Sequence, residues 1–330
     1  MTTQEPEKLQ QHADTPHASA TPSTEHLTAG SFTMKVLNGI SIAVVVSLVP
    51  QALLGELAKA LLPYWDGAAT VLALTGLAAS LLPVMIGILV AIEFKMTPIQ
   101  TAAVGIASFC GSGVATVNPD GGFFLKGTGL VINSGLTAAM AVGLLLLIGG
   151  RLKSYSILLL STIVTLVVGT IGWVVTYPIV KIFTVWLGGL VNGATTLQPI
   201  VMGIVLAVLF AVMIVSPVST VGIATAIFME GVASGTANLG VVAASFTLLA
   251  AGWRANGFAT SILHVLGSPK VQMANMLSKP VTFLPVICTA AIVGGVGGAL
   301  GISGTPISAG FGISGLMGPL AALNLSLIHI

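Results

Sequence analysis

Charged side chains are what this chain has least of. Its 11 Lys and Arg and 9 Asp and Glu make up 6% of 330 residues, against about a quarter in an ordinary soluble domain. So few ionised groups cannot cover a water-facing surface, which excludes a freely soluble globular protein. Cysteine is rarer still. Cys110 and Cys288 stand in apolar surroundings with no CxxC or Cys/His spacing, so both read as small buried hydrophobes and not as zinc or redox sites. A net charge of +2 and a pI near 8.6 supply no basic field for nucleic acid. The glycine-rich stretch 304–319 lacks the Lys and Ser/Thr of a phosphate loop, which argues against a nucleotide site. Neither a metal nor a cofactor is expected.

What remains is apolar. Hydrophobic residues form 55% of the chain and the mean hydropathy is +1.06, so lipid is the solvent for most of it. Residues 1–31 are the exception. They carry Glu5, Glu7, Asp14 and Glu25 and no aromatic side chain, and read as a disordered cytosolic tail with no secretory signal. The membrane domain is expected over 32–324. About 20 apolar residues span a hydrocarbon core, and the clearest such runs are 34–54, 67–91, 127–149, 155–178, 197–215 and 281–299. The segments 98–114, 220–234, 241–253 and 301–320 are shorter or interrupted by glycine and read as half-helices or re-entrant hairpins. The expected fold is an all-α polytopic integral membrane protein of about ten passages.

Orientation follows from the basic residues of the connections. With the N-terminus inside, Lys35, Lys95, Arg151, Lys153, Arg254, Lys270 and Lys279 lie at cytosolic ends, and Lys59, Lys126 and Lys181 outside. The stretch 255–280 starts a new helix at Ser268-Pro269, a cap residue followed by proline, and reads as lying at the cytosolic surface or dipping into the interior. The last six residues, 325–330, back-translate to CTG TCT CTT ATA CAC ATC, a transposon end used in sequencing libraries. They are expected to be adapter-derived, with the natural protein continuing past 324.

Ionisable and amide groups inside apolar sequence are functional candidates. Glu230 leads, within TAIFMEGVASGTANLG, a stretch that also holds Asn238. A glutamate there accepts hydrogen bonds from sugar hydroxyls, holds a proton, or reaches water at a helix end. Asn118 and Asp120 sit in the turn sequence Asn-Pro-Asp-Gly-Gly, either an extracellular turn or a packed re-entrant loop, and Lys126 reads as a surface residue closing it. His264 lies in an apolar setting. Gln272 and Asn275, three apart on the next helix, share a face with Ser268 and offer groups that bind a neutral polyol. Thr305, Ser308 and Ser314 add hydroxyls to the glycine-rich segment.

Several long motifs carry a resemblance. The order GSG…PDGGFFLKGTG (111–129), TTLQPIVMGIVLAV (195–208), IVSPVSTVGIATAI (214–227), GTANLGVVA (235–243), AGWRANG (251–257), LGSPKVQMANML (266–277) and GTPISAGFGISGLMGP (304–319) resembles the enzyme IIC-like membrane proteins of the bacterial phosphotransferase system. More closely, it is similar to the branch that includes the perfringolysin O regulator. The resemblance covers 32–324. It implies a sugar permease of the bacterial inner membrane, a homodimer, whose substrate is phosphorylated by a separate IIB protein recharged by a IIA protein. No covalent catalytic residue is implied for this chain. The Gly-Ile-Thr-Glu-Pro-like motif of glucose-type IIC proteins is missing, so Glu230 is not carried over from them. Two other classes are compatible with the sequence. One is a membrane regulator without transport turnover, and the other a proton-coupled carrier of a small polar solute with Glu230 as its coupling group.

Overall fold

A computed structural model describes residues 27–125, 127–148 and 156–326. Four of the six suspected adapter residues (327–330), Lys126, Arg151, Lys153 and most of the expected tail lie outside that range. The tail's last residues already belong to a helix, because the Thr28 hydroxyl accepts from the Ser31 amide and starts α1, Ala29–Leu61. Pro50 lies inside α1 and has no N–H to give the residue four before it. Two helices, α2 (Gly67–Ser80) and α3 (Leu82–Glu93), follow with a 45° bend between them. Thr97 and Gln100 then cap α4 (Pro98–Gly111) reciprocally.

Two short strands, β1 (Ala115–Val117) and β2 (Phe123–Leu125), pair as an antiparallel hairpin, and an isolated antiparallel bridge joins Gly231 and Gly304. Beyond the hairpin come α5 (Val131–Ile148) and α6 (Ser156–Ile163). Two π-helical stretches, Val164–Gly169 and Gly172–Thr176, lead from α6 into α7 (Tyr177–Ala194). The second part of the chain holds α8 (Pro199–Ile214), α9 (Thr220–Ala226) and α10 (Gly231–Asn256). After these come α11 (Phe258–Ser261), α12 (Leu263–Leu266), a 3-10 turn at Pro269–Gln272, α13 (Met273–Ser278) and α14 (Phe283–Ala299). The short α15 (Ser308–Phe311) and α16 (Met317–Ser326) complete the described chain.

Five of these helices are long and apolar enough to cross a membrane, and a sixth span results if the bent α2–α3 pair counts as one. That is fewer than the roughly ten passages expected, and the reasons are local. Residues 241–253, set apart as a weak segment, continue the 26-residue α10. α4 and α8 are 14 and 16 residues long, short of a full span. The segment 220–234, expected to be short or interrupted, is broken within, since α9 ends at Ala226, Phe228 and Gly231 take positive φ, and α10 starts at Gly231. The segment 301–320 is broken as expected, into α15, a turn with Gly312 at φ +66° and α16. Large apolar side chains cover the outside, among them Ile182, Val185 and Ile292, each about 70% exposed. Such a belt is stable only against lipid. Aromatic residues mark its edges, with Tyr64 and Trp65 after α1 and Trp253 beside Arg254 at the end of α10. Cys288, expected to be buried, is exposed on α14, and Cys110 is half-buried.

The chain folds as two halves, each with its own core. The first core joins α1, α3, α4, α5 and residues 160–168 around Leu82, Ile86, Val104 and Leu145. The second joins α7 to α10, α14 and α15 around Leu206, Phe210, Ile223 and Val241. The two halves repeat a sequence. α3 begins Leu82-Pro-Val-Met-Ile-Gly-Ile-Leu-Val-Ala, and Gln198-Pro-Ile-Val-Met-Gly-Ile-Val-Leu-Ala leads into α8. A short helix and then a longer one follow each. Both halves also use a buried asparagine in that longer helix as a carbonyl clamp. Asn133 donates to the carbonyls of Gly111 and Gly172, and Asn238 to those of Ser308 and Gly312.

Glycine sets the spacing of the second half. A Cβ at Gly240 would meet the Ala207 carbonyl, and one at Gly203 would meet Gly294 and Thr236. α8 and α10 therefore advance in the same direction, with α9 returning the chain between them.

Candidate functional site

A cavity of about 620 Å³ lies between the two halves, with Val44, Leu82 and Val131 of the first core and Ile214 of the second in its wall. This is within the size range of small-molecule sites. α1 contributes Val44, Leu48 and Gln51, and Gly113 and residues 127–131 close one side. From the other half come Thr184, α9 and residues 307–314, and the connection 267–270 forms part of the wall. Tyr177, at the start of α7, packs over Gly113. That glycine has φ +72°, and a Cβ there would lie 2.0 Å from the Tyr177 ring, so only glycine lets the ring lie against this turn.

Most polar side chains of the wall are already engaged. The hydroxyls of Thr184, Thr225 and Thr220 donate to the carbonyls of Val180, Val221 and Gly310. The Ser219 hydroxyl accepts from the Gly222 amide and caps α9, and that of Ser314 donates to Gly267. Gln51 and Tyr177 differ. Both are half-buried in the cavity wall, and neither side chain has a hydrogen-bond partner among the described residues. They present one amide and one phenol to the cavity, enough for several bonds to a polar guest.

Lys270 is the only charged side chain of the wall among the described residues. It was counted as a cytosolic-end charge, but it is buried, with 4% exposure. Its Nζ donates to the carbonyls of Ser216, Val218 and Ile214 at 2.6, 2.7 and 3.3 Å. Ser268 accepts from the Lys270 amide and caps the turn, so the Ser268-Pro269 start signal is borne out and the segment dips inward. The connection 257–279 lies outside the membrane-spanning helices. Burial there pushes the amine down to about 7, while three carbonyl acceptors act the other way by favouring the protonated form. With all three N–H groups engaged, Lys270 contributes field to the cavity but no free donor.

The residues singled out from the sequence fall elsewhere. Glu230 is exposed at the start of α10 and makes no side-chain cap bond. Asn118 and Asp120 form the tip of the β1–β2 hairpin, where the Asn118 Oδ1 accepts from the Asp120 amide and Gly121 and Gly122 take positive φ. Asp120 is exposed, so the hairpin reaches outward and is not a packed re-entrant loop. His264 is buried with Nε2 3.3 Å from the Gln272 amide nitrogen, and Asn275, exposed, donates to Gln272 Oε1 at 2.9 Å. The three form one chain of polar groups beside the cavity without lining it. Asn238, Thr305 and Ser308 come together as the frame of the broken segment. The Thr305 amide donates to the Ser308 hydroxyl at 2.8 Å, and the Ser308 amide to the Thr305 hydroxyl at 3.2 Å. Thr305 and Ser308 also line a second cavity of about 510 Å³, and Thr225 and Ile307 line both cavities.

Gln51, Tyr177 and Lys270 were not singled out from sequence. A signal existed for the lysine, a charge within otherwise apolar sequence just after a helix start. Gln51 next to a mid-helix proline is a weaker one, and nothing local distinguishes Tyr177.

Searches of curated proteins and of solved structures found no match. A family model described as phosphotransferase system, EIIC, matches residues 34–330, which takes in both halves and the cavity between them. With nine-tenths of the chain matched and its surface built for lipid, this multi-pass membrane protein belongs to the EIIC family of the phosphotransferase system.

Proposed function

We propose that the chain binds an uncharged sugar in the cavity between its halves and carries it across the bilayer, while a separate IIB protein, recharged by IIA, phosphorylates it. One observation carries this reading. Among the described residues, the unengaged polar groups of the cavity, on Gln51 and Tyr177, are neutral, and the one cation has no donor left to bind an anion. Neutral amides and phenols suit a polyol, whose hydroxyls both donate and accept. Thr305 and Ser308, in the adjoining cavity, lie on the route by which the sugar enters or leaves. In this reading the N-terminus is cytosolic, the membrane is the bacterial inner membrane, the short helices α4, α8 and α9 complete further passages toward about ten only together with the non-helical segments that flank them, and two copies associate. No residue of the chain forms a covalent intermediate. The protein supplies position and exclusion of water.

Uptake by vesicles supplied with the soluble phosphotransferase components tests the reading. Accumulation of sugar phosphate should require phosphoenolpyruvate. A complete absence of uptake would assign the chain to regulation, and uptake that survives without phosphoenolpyruvate but collapses with the proton gradient would assign it to proton-coupled transport. Glu230→Gln separates the last case further. Because Glu230 is exposed and outside the larger cavity, the exchange should change uptake by less than about twofold, a surface-sized effect, whereas a coupling residue would lose the proton dependence entirely.

A further inference from the structure

The environment of Lys270 has the chemistry of an ion site. Ile214 ends α8, and its carbonyl has no helical N–H to accept from, so it carries the negative end of the helix dipole. Pro217 separates Ser216 from Val218 and has no N–H of its own. The chain turns there so that the carbonyls of residues 214, 216 and 218 converge on one point before Ser219 starts α9. Among the described residues no carboxylate lines this part of the cavity. Three neutral backbone oxygens at the end of a broken helix form the kind of donor set that holds a monovalent cation in membrane transporters.

The occupant here comes from a different part of the chain. Lys270 belongs to the connection between α10 and α14. Met273, three residues on, packs into the core of the first half, while the ammonium is held by the second. One short turn thus ties the two halves together beside the cavity, and its anchor is a charge of one with three donors facing three acceptors.

We propose that the carbonyls of Ile214, Ser216 and Val218 form a monovalent-cation site that the chain fills with its own Lys270 ammonium, in the place of a soluble ion such as Na⁺ or K⁺. The site does not depend on the transport reading. If that reading holds, the consequence is that guest binding needs no dissolved coupling ion.

Removing the lysine side chain should open the site. Purified full-length Lys270→Ala and Lys270→Ser are unfolded thermally in NaCl, KCl, NH₄Cl and choline chloride at equal ionic strength, alongside the unchanged protein. Choline is too large to enter. At least one small cation should raise the variants' Tm by about 2 °C or more over choline, as a ligand that binds only the folded state does, while the unchanged protein should not distinguish the four salts. Recovery of folded variant in a small-cation salt but not in choline counts as the same result. The proposal is overturned if neither variant distinguishes the salts, if neither is recovered folded in any of them, or if the unchanged protein shows an equal rise. None of these readings requires sugar, phosphoenolpyruvate or a partner protein, so the outcome is separate from that of the uptake experiment.

Discussion

Leucine in place of Gly203 should prevent the second half from assembling. A Cβ at this position would lie 2.2 Å from the Gly294 carbonyl oxygen and 3.1 Å from Thr236 Cγ2. The first of these neighbours is backbone and cannot rotate away. A Cβ on Gly294 would in turn lie 2.3 Å from both Ala207 Cβ and the Gly203 carbonyl oxygen, and one on Gly298 would lie 2.2 Å from the Pro199 carbonyl oxygen. α8 and α14 thus touch backbone to backbone at two successive contacts, Gly203 with Gly294 and Pro199 with Gly298, the close approach that small residues permit in membranes. Overpacking a tight contact costs about 1–3 kcal/mol. Leucine adds several carbons with nowhere to go, so the expected loss is at the top of that range or beyond, read as a collapsed monodisperse peak and a lowered Tm in detergent. Gly143→Leu is the matched control. A Cβ on Gly143 meets nothing within 4 Å, and that exchange should leave stability within about 0.5 kcal/mol. A Gly203→Leu protein as stable as the control would show that α8 and α14 do not pack as described.

Removing the two unengaged polar groups of the cavity should reduce sugar affinity most. Gln51→Leu and Tyr177→Phe each delete hydrogen-bonding capacity that no group among the described residues uses. A neutral hydrogen bond to a guest contributes about 0.5–1.5 kcal/mol, so each exchange should weaken binding by about three- to tenfold and the pair by about tenfold to a hundredfold. Thr184→Val serves as the comparison. Its hydroxyl already donates to the Val180 carbonyl at 2.9 Å, so its loss should matter less to the guest than either of the others. Equilibrium binding by the purified protein, or the KM of uptake, reads these changes. If Thr184→Val weakened binding more than Tyr177→Phe, the guest would not lie against the wall described.

How much of this was legible in the residue order differs from feature to feature. The Ser268-Pro269 start and the interrupted character of 220–234 were visible because proline, glycine and capping side chains act over one helical turn. The Asn118–Gly122 turn was visible for the same reason, although whether its tip packs inward or points outward was not. The number of complete spans was less clear, because a run such as 241–253 looks weak alone and gains its length from small residues upstream that pack against α8, α14 and the 302–305 segment.

The site residues show the limit more sharply. Glu230 drew attention as an isolated carboxylate, yet the fold leaves it exposed. Lys270 looked like a connection charge, yet the carbonyls that engage it lie more than 50 residues earlier in the chain.

Composition alone determined that this protein lives in lipid, because the free energy of burying apolar surface depends on how much there is and hardly on its order. Local sequence determined where its helices start and break. Only the tertiary structure decided which polar groups are spent on the protein itself and which stay open to a guest, because a hydrogen bond needs its partner within about 3 Å and those partners come together only when the two halves meet.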